Sequence, residues 1–150
     1  MLGRTKLRSL VLLTICLLGS PGMAVEPNPL NANEQIAFYL IESQIADRLI
    51  ELEDELGPMV ELSLYITIEG DDPSRALLTA LRKLGVRAYS GSGHYPGYGM
   101  HFTFKVLAVL SNNERRIEYA FNGPGGSGAT STIRRTEQGW REFEGRYWMQ

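Results

Sequence analysis

The sequence predicts an α+β protein: a long N-terminal helix and a second, shorter helix packed on one face of a curved, mainly antiparallel sheet of four to six strands. Three observations carry this expectation. Apolar residues recur every three or four positions between Phe38 and Leu56, the period of one helix face. They recur at every second position over 60–69 and through most of 101–148, the period of a strand. Clusters of Gly, Pro, Asn and Asp punctuate the chain between these runs.

The first 24 residues read as an export signal rather than as part of the fold. Arg4, Lys6 and Arg8 form a basic head, and Leu10 to Leu18 is a short apolar run. A membrane span needs roughly 20 apolar residues, so this run is too short to be one. Gly19 to Ala24 supplies a helix break and small residues for a cut after Ala24. Cys16, the one cysteine, lies inside the signal, and Ile15 before it disfavours lipidation. The product expected from that cut is periplasmic or secreted, has no transmembrane span, and has no thiol for disulfides, nucleophilic attack or zinc. The whole chain thus reads as a signal at 1–24, an extended leader at 25–30 and one α+β domain at 31–150.

The elements follow in order. Asn31 and Glu34 have the spacing of a capping box. Phe38, Ile41, Ile45, Leu49, Leu52 and Leu56 then form an apolar stripe, which Gly57-Pro58 stops. Val60 to Glu69 alternates as a half-buried strand. Asp72 is the expected cap of a second helix with Pro73 as its first residue, Leu77, Leu81 and Leu84 facing inward, and Gly85 ending it. Val86 to Tyr89 reads as a short edge strand. Residues 90–100 form a loop rich in glycine and tyrosine. Strands are expected at His101 to Leu110, Arg116 to Phe121, Ala129 to Thr136 and Trp140 to Trp148, with the two tryptophans of the last one capping the core.

Removing the signal leaves 12 basic and 17 acidic residues, a net charge of −5 (12 − 17). Residues 25–72 carry most of the acid and residues 73–150 most of the base, so the two halves neutralise each other in part or present a dipolar surface to a charged partner. The negative total and the compartment disfavour nucleic acid. Gly123 to Gly128 lacks the following helix and the Lys-Ser/Thr of a phosphate cradle, so it reads as a turn. His94 and His101 have no acidic neighbour in sequence, and no metal or cofactor is expected. The acidic run Glu51, Glu53, Asp54, Glu55 sits where a helix dipole disfavours it. Sheet arginines (Arg115, Arg116, Arg134, Arg135) or a basic partner are the two candidates to offset it.

The best candidate for recognition is the loop with its flanking histidines: His94, Tyr95, Tyr98 and His101. Tyrosine between glycines offers rigid, amphipathic contact area. The expected function is therefore non-enzymatic binding of an extracytoplasmic protein or a cell-wall glycan. An enzyme with Glu42 or Asp47 as a buried base between helix and sheet, and a structural envelope component, are the alternatives.

Gly70-Asp-Asp-Pro-Ser74, Leu77-Leu-Thr-Ala-Leu81, Val86-Arg-Ala-Tyr-Ser90, Gly139-Trp140 and Tyr147-Trp148 together resemble a loose group of uncharacterised exported bacterial proteins. That group often has a cysteine where this chain has Ser92. The resemblance implies export and this fold, and no catalytic residue. In outline the arrangement is also similar to cystatin-like and nuclear-transport-factor-like rolls, which host binders and a few enzymes.

Overall fold

The computed structural model describes residues 28–46, 63–93, 99–123 and 126–149. It is an α+β structure with a six-stranded sheet. The first helix, α1 (Ala32–Ile41), runs on into a π-helical turn, Glu42–Ala46. Its start is the expected capping box: Asn31 Oδ1 accepts from the Glu34 amide (3.0 Å), and the Glu34 carboxylate accepts from the Asn31 amide (3.2 Å). Such a cap contributes about 1 kcal/mol. Leu49, Leu52, Leu56 and the Gly57-Pro58 stop lie outside the described residues.

The buried stripe of α1 is Ile36, Ala37, Leu40 and Ile41, with Ile45 beyond it, while Phe38 is only half-buried. The expected stripe was thus rotated: Ile41 and Ile45 are in it, Phe38 is at its margin. Residues 36–41 are apolar without a break, so periodicity alone does not choose a face there.

The strands are β1 (Leu64–Ile68), β2 (Ala88–Ser90), β3 (Met100–Ser111), β4 (Glu114–Asn122), β5 (Ser127–Thr136) and β6 (Gly139–Met149), in sheet order β2-β1-β3-β4-β5-β6. From β3 onward the sheet is an antiparallel meander. On the other side, β1 pairs in parallel with both β2 and β3. The second helix, α2 (Arg75–Lys83), makes the crossover from β1 to β2. Arg82 holds it to the edge strand, its guanidinium donating twice to the Ala88 carbonyl (2.8 and 3.1 Å).

Ser74, not Asp72, caps α2: its hydroxyl oxygen accepts from the Leu77 amide (3.2 Å). The reason is tertiary. The Ser74 amide donates to Glu34 Oε1 (2.9 Å), so one buried carboxylate ties the starts of both helices together. Asp72 meanwhile faces Ser92. Leu77 and Leu81 are buried and Leu84 half-buried, and Gly85 ends the helix at φ 89°.

Both helices pack on the sheet face that carries Leu64, Ile66, Phe102, Phe104, Ile117, Tyr119, Ala129, Ile133 and Trp140. The register explains why these meet. Ile66, Phe102 and Phe121 are successive cross-strand partners, as are Ile68, Phe104, Tyr119 and Ala129. The Phe102 and Phe121 rings lie 4.9 Å apart and the Tyr119 ring stands edge-on to Phe121. Trp140 is buried here as expected. Trp148 is not: it lies on the opposite face, over Gly128, because β6 carries a bulge opposite Thr132/Ile133 and its register pairs Trp148 with Gly128.

Candidate functional site

The face turned away from the helices is the wet half of each alternating strand: Tyr65 and Thr67 on β1, His101, Thr103 and Lys105 on β3, Glu118 and Arg116 on β4, Thr130 and Thr132 on β5. Among the described residues no helix covers it. Two shallow grooves cross it. The larger, about 360 Å³, runs over Thr67, Thr103, Lys105, Glu118 and Ala120, with Glu69 at its end. The second, about 260 Å³, lies between Arg116, Thr130, Thr132, Glu144 and Arg146. Lys105 and Glu118 are direct cross-strand partners, so the larger groove carries both signs of charge side by side.

The end of the larger groove is built by an unusual residue. Glu69 has φ 56°, a left-handed conformation that costs a non-glycine residue of order 1 kcal/mol or more. It persists because Glu69 is held from both ends. Its amide donates to the Phe104 carbonyl (2.8 Å) and its carboxylate accepts from the Val106 amide (2.6 Å). The side chain thereby continues the β1–β3 ladder by one step after the chain has turned away. Nothing in the sequence marks this role.

Of the four residues expected to bind, the structure places His101 on this face, where its Nε2 hydrogen-bonds Thr67 Oγ1 (2.8 Å). His94, Tyr95 and Tyr98 lie outside the described residues. The described ends of their loop rest on the same face. Gly91 sits against Thr67 with no room for a side chain: a methyl there would meet the hydroxyl and come 2.8 Å from the Ile66 carbonyl oxygen. Gly99, at φ 75°, lies over the Ser63 carbonyl. Asp72 anchors the first turn, Gly91–Gly93, by accepting from the Ser92 amide (2.9 Å) and hydroxyl (2.6 Å). These bonds to Ser92 hold the Asp72 carboxyl below the usual carboxylate range. The Ser92 oxygen here does work that a thiol does poorly.

A second polar cluster lies on the helix side. Glu142 on β6 accepts from the Ser131 hydroxyl and from the Tyr147 hydroxyl (2.5 Å), and its amide donates to the Tyr39 hydroxyl (3.3 Å). Tyr119 and the Gln44 amide group exchange hydrogen bonds at 2.7 and 3.1 Å. In the enzyme alternative a buried catalytic carboxylate is expected here from Glu42 or Asp47, but Glu42 is exposed on the π-turn and Asp47 lies outside the described residues. Glu142, which occupies the place instead, already has both carboxylate oxygens engaged by hydroxyl donors.

Burial pushes the Tyr119 hydroxyl up to about 12, and donation to Glu142 pushes Tyr147 up as well. A raised pKa means that the folded state keeps its proton after the unfolded chain has lost it. The stabilisation from Tyr119 is therefore complete below pH 10 and disappears as pH rises from about 10 to 12, on the order of 2 kcal/mol. Urea unfolding of wild type against Tyr119→Phe at pH 8, 10 and 11.5 is expected to show the loss in wild type and a flatter profile in the variant. Parallel profiles would mean that the hydroxyl is not desolvated.

The sheet arginines do not all stand ready for an acidic partner. Arg134 pairs with Glu114 (3.0 Å) and stacks on Phe143, and Arg115 stacks on the Trp140 ring. The acidic run at 51–55 lies outside the described residues. Among the described residues no group of three or more His, Cys, Asp or Glu side chains is placed to hold a metal ion, and no helix is long and apolar enough to cross a membrane. The fold and this face define an α+β protein with one buried and one open sheet surface. No family model, curated protein or solved structure matches the chain.

Proposed function

We propose that the chain is an exported, non-enzymatic binding module that grips a protein partner with the open sheet face around Thr67, Thr103, Lys105 and Glu118, with Gly91–Gly93 and Gly99 at its rim. The observation that carries this reading is the polar face that no described helix covers, with its grooves and interleaved charges. Paired opposite charges beside hydroxyls suit a protein surface, where complementarity fixes register and orientation. A glycan is stacked on aromatic rings, and among the described residues the rings of this face stand at its margins, Tyr65 with Tyr89 at one side and Trp148 at the other. An enzyme is supported less well, because among the described residues the buried and half-buried carboxylates on the helix side, Glu34 and Glu142, have both oxygens engaged by hydrogen-bond donors.

Two further features of the reading come from the N-terminus: removal of residues 1–24 and residence in the periplasm or outside the cell. Expressed in a bacterial host, the recovered protein is expected to begin at Val25. A photo-crosslinking residue at Thr103 is expected to trap one protein species in the extracytoplasmic fraction. One at Glu42, exposed on the helix side, is expected to trap none. Lys105→Glu should reduce the Thr103 adduct at least tenfold, since it sets two carboxylates side by side in the groove. Equal adducts from both positions would overturn the choice of face. Co-sedimentation with wall glycan instead of a protein adduct would transfer the site to the glycan class, and an intact Met1 would remove the export.

A further inference from the structure

We propose that the free edge of β6 pairs antiparallel with the same edge of a second copy of this chain, joining two sheets into one. This goes beyond the groove and does not depend on it.

A terminal strand presents a row of unused backbone donors and acceptors, which folded proteins ordinarily blunt with proline, charge, brevity or a bulge. The two edges of this sheet differ in that respect. β2 is only three residues long. β6 is 11 residues long and, among the described residues, pairs on one side only, toward β5. Its first half is closed off on the other side: it carries the bulge opposite Thr132/Ile133, and the Glu142 amide is taken by the Tyr39 hydroxyl. The remaining stretch, Glu144-Gly-Arg-Tyr-Trp-Met149, contains no proline. It exposes Tyr147 to 64 %, Trp148 to 38 % and Met149 to 89 %.

The sequence of that stretch selects one partner and one register. In a twofold antiparallel pair, residues opposite one another lie on the same face, so the axis falls on one residue. With Arg146 on the axis, two guanidinium groups face each other. With Gly145 on the axis, Tyr147 and Trp148 meet the bulge and the occupied Glu142 amide of the other copy. With Tyr147 on the axis, five residue pairs form. Arg146 of each copy then lies opposite Trp148 of the other, and Gly145 opposite Met149. Trp148 lies flat over Gly128 on the open face, and Arg146 points to that same face. Each cation is therefore set beside an indole of the partner, twice across the axis, an electrostatic match that an unrelated strand would lack. The pairing also runs the open faces of two copies together, so that the second groove of each, between Arg116 and Arg146, lies beside the junction.

The test is sedimentation equilibrium of the purified protein, together with disulfide trapping in a Cys16→Ser background. The expected result is a concentration-dependent dimer. Tyr147→Cys should link two chains under mild oxidation, because the Cα separation of a directly opposed antiparallel pair lies within disulfide reach. Glu42→Cys, on the helix side, should not. Arg146→Glu, which keeps the strand and removes the cation, should weaken dimerisation about tenfold. A monomer at every concentration would overturn the proposal. So would a dimer that Tyr147→Cys does not trap, or one that Arg146→Glu leaves unchanged.

Discussion

Phe102→Ala is expected to lower the unfolding free energy by about 3–5 kcal/mol, the range for an aromatic ring removed from a tight core. Phe102 is fully buried near the start of β3, the strand that joins the parallel and antiparallel halves of the sheet. Its ring contacts Phe121 across the strand pair at 4.9 Å and stands 6.4 Å from Tyr119. The site cannot collapse easily, because strands hold it on both sides and both helices belong to the buried cluster that covers it. A loss of this size is a large part of the 5–15 kcal/mol typical of a small domain. Urea titration followed by tryptophan fluorescence reads it directly. A cost below 1 kcal/mol would mean that the ring is not packed as described.

Gly128→Ala is the second large effect, at about 2–3 kcal/mol from overpacking. A methyl at this position would overlap the Trp148 ring and approach the Tyr119 carbonyl oxygen to 2.6 Å. The two clashes differ in kind. Trp148 can swing away, whereas the carbonyl belongs to the neighbouring strand β4 and moves only if the sheet opens. Trp148→Ala in the same chain should therefore recover only part of the loss. Full recovery would show that the indole alone sets the constraint.

Much of the fold was legible because its signals are short-range. Alternation from His101 to Trp148 identified the meander, since each strand hides one side chain in two. The odd positions of β3, His101, Thr103 and Lys105, were already readable as its wet face, and they now line or flank the larger groove. The parallel pairing of β1 with β3 was not legible. It requires the chain to pass from β2 to β3, parallel strands on either side of β1, and that connection has only nine residues, 91–99, where a dozen or more are ordinary. Glycines at 91 and 99 make it feasible by letting the backbone lie directly on β1 and on Ser63.

The cap of α2 was misplaced for a related reason. Asp72 and Ser74 have equal local claims, and the choice is made by Ser92 and Glu34, 20 and 40 residues away. Glu69 is the extreme case, since no local preference favours glutamate in a left-handed turn. Its role depends on the backbone of β3. The tryptophans were read as equivalent, and one bulge separates them: Trp140 before it faces the core, Trp148 after it faces the open side.

The place of β1 in the sheet bears on how the chain acquires its structure. The meander β3 to β6 closes through turns of a few residues, so its loop-closure entropy is small. β1 must wait for a partner whose first residue is 32 positions past its own last (Ile68 to Met100), a costlier encounter that comes late when contact order governs the rate. The seam between β1, which carries Thr67 and leads into Glu69, and β3 is thus expected to form after the meander. The groove is then whole only once β1 has docked, and weakening the β1–β3 seam is expected to open that groove ahead of the four-stranded remainder.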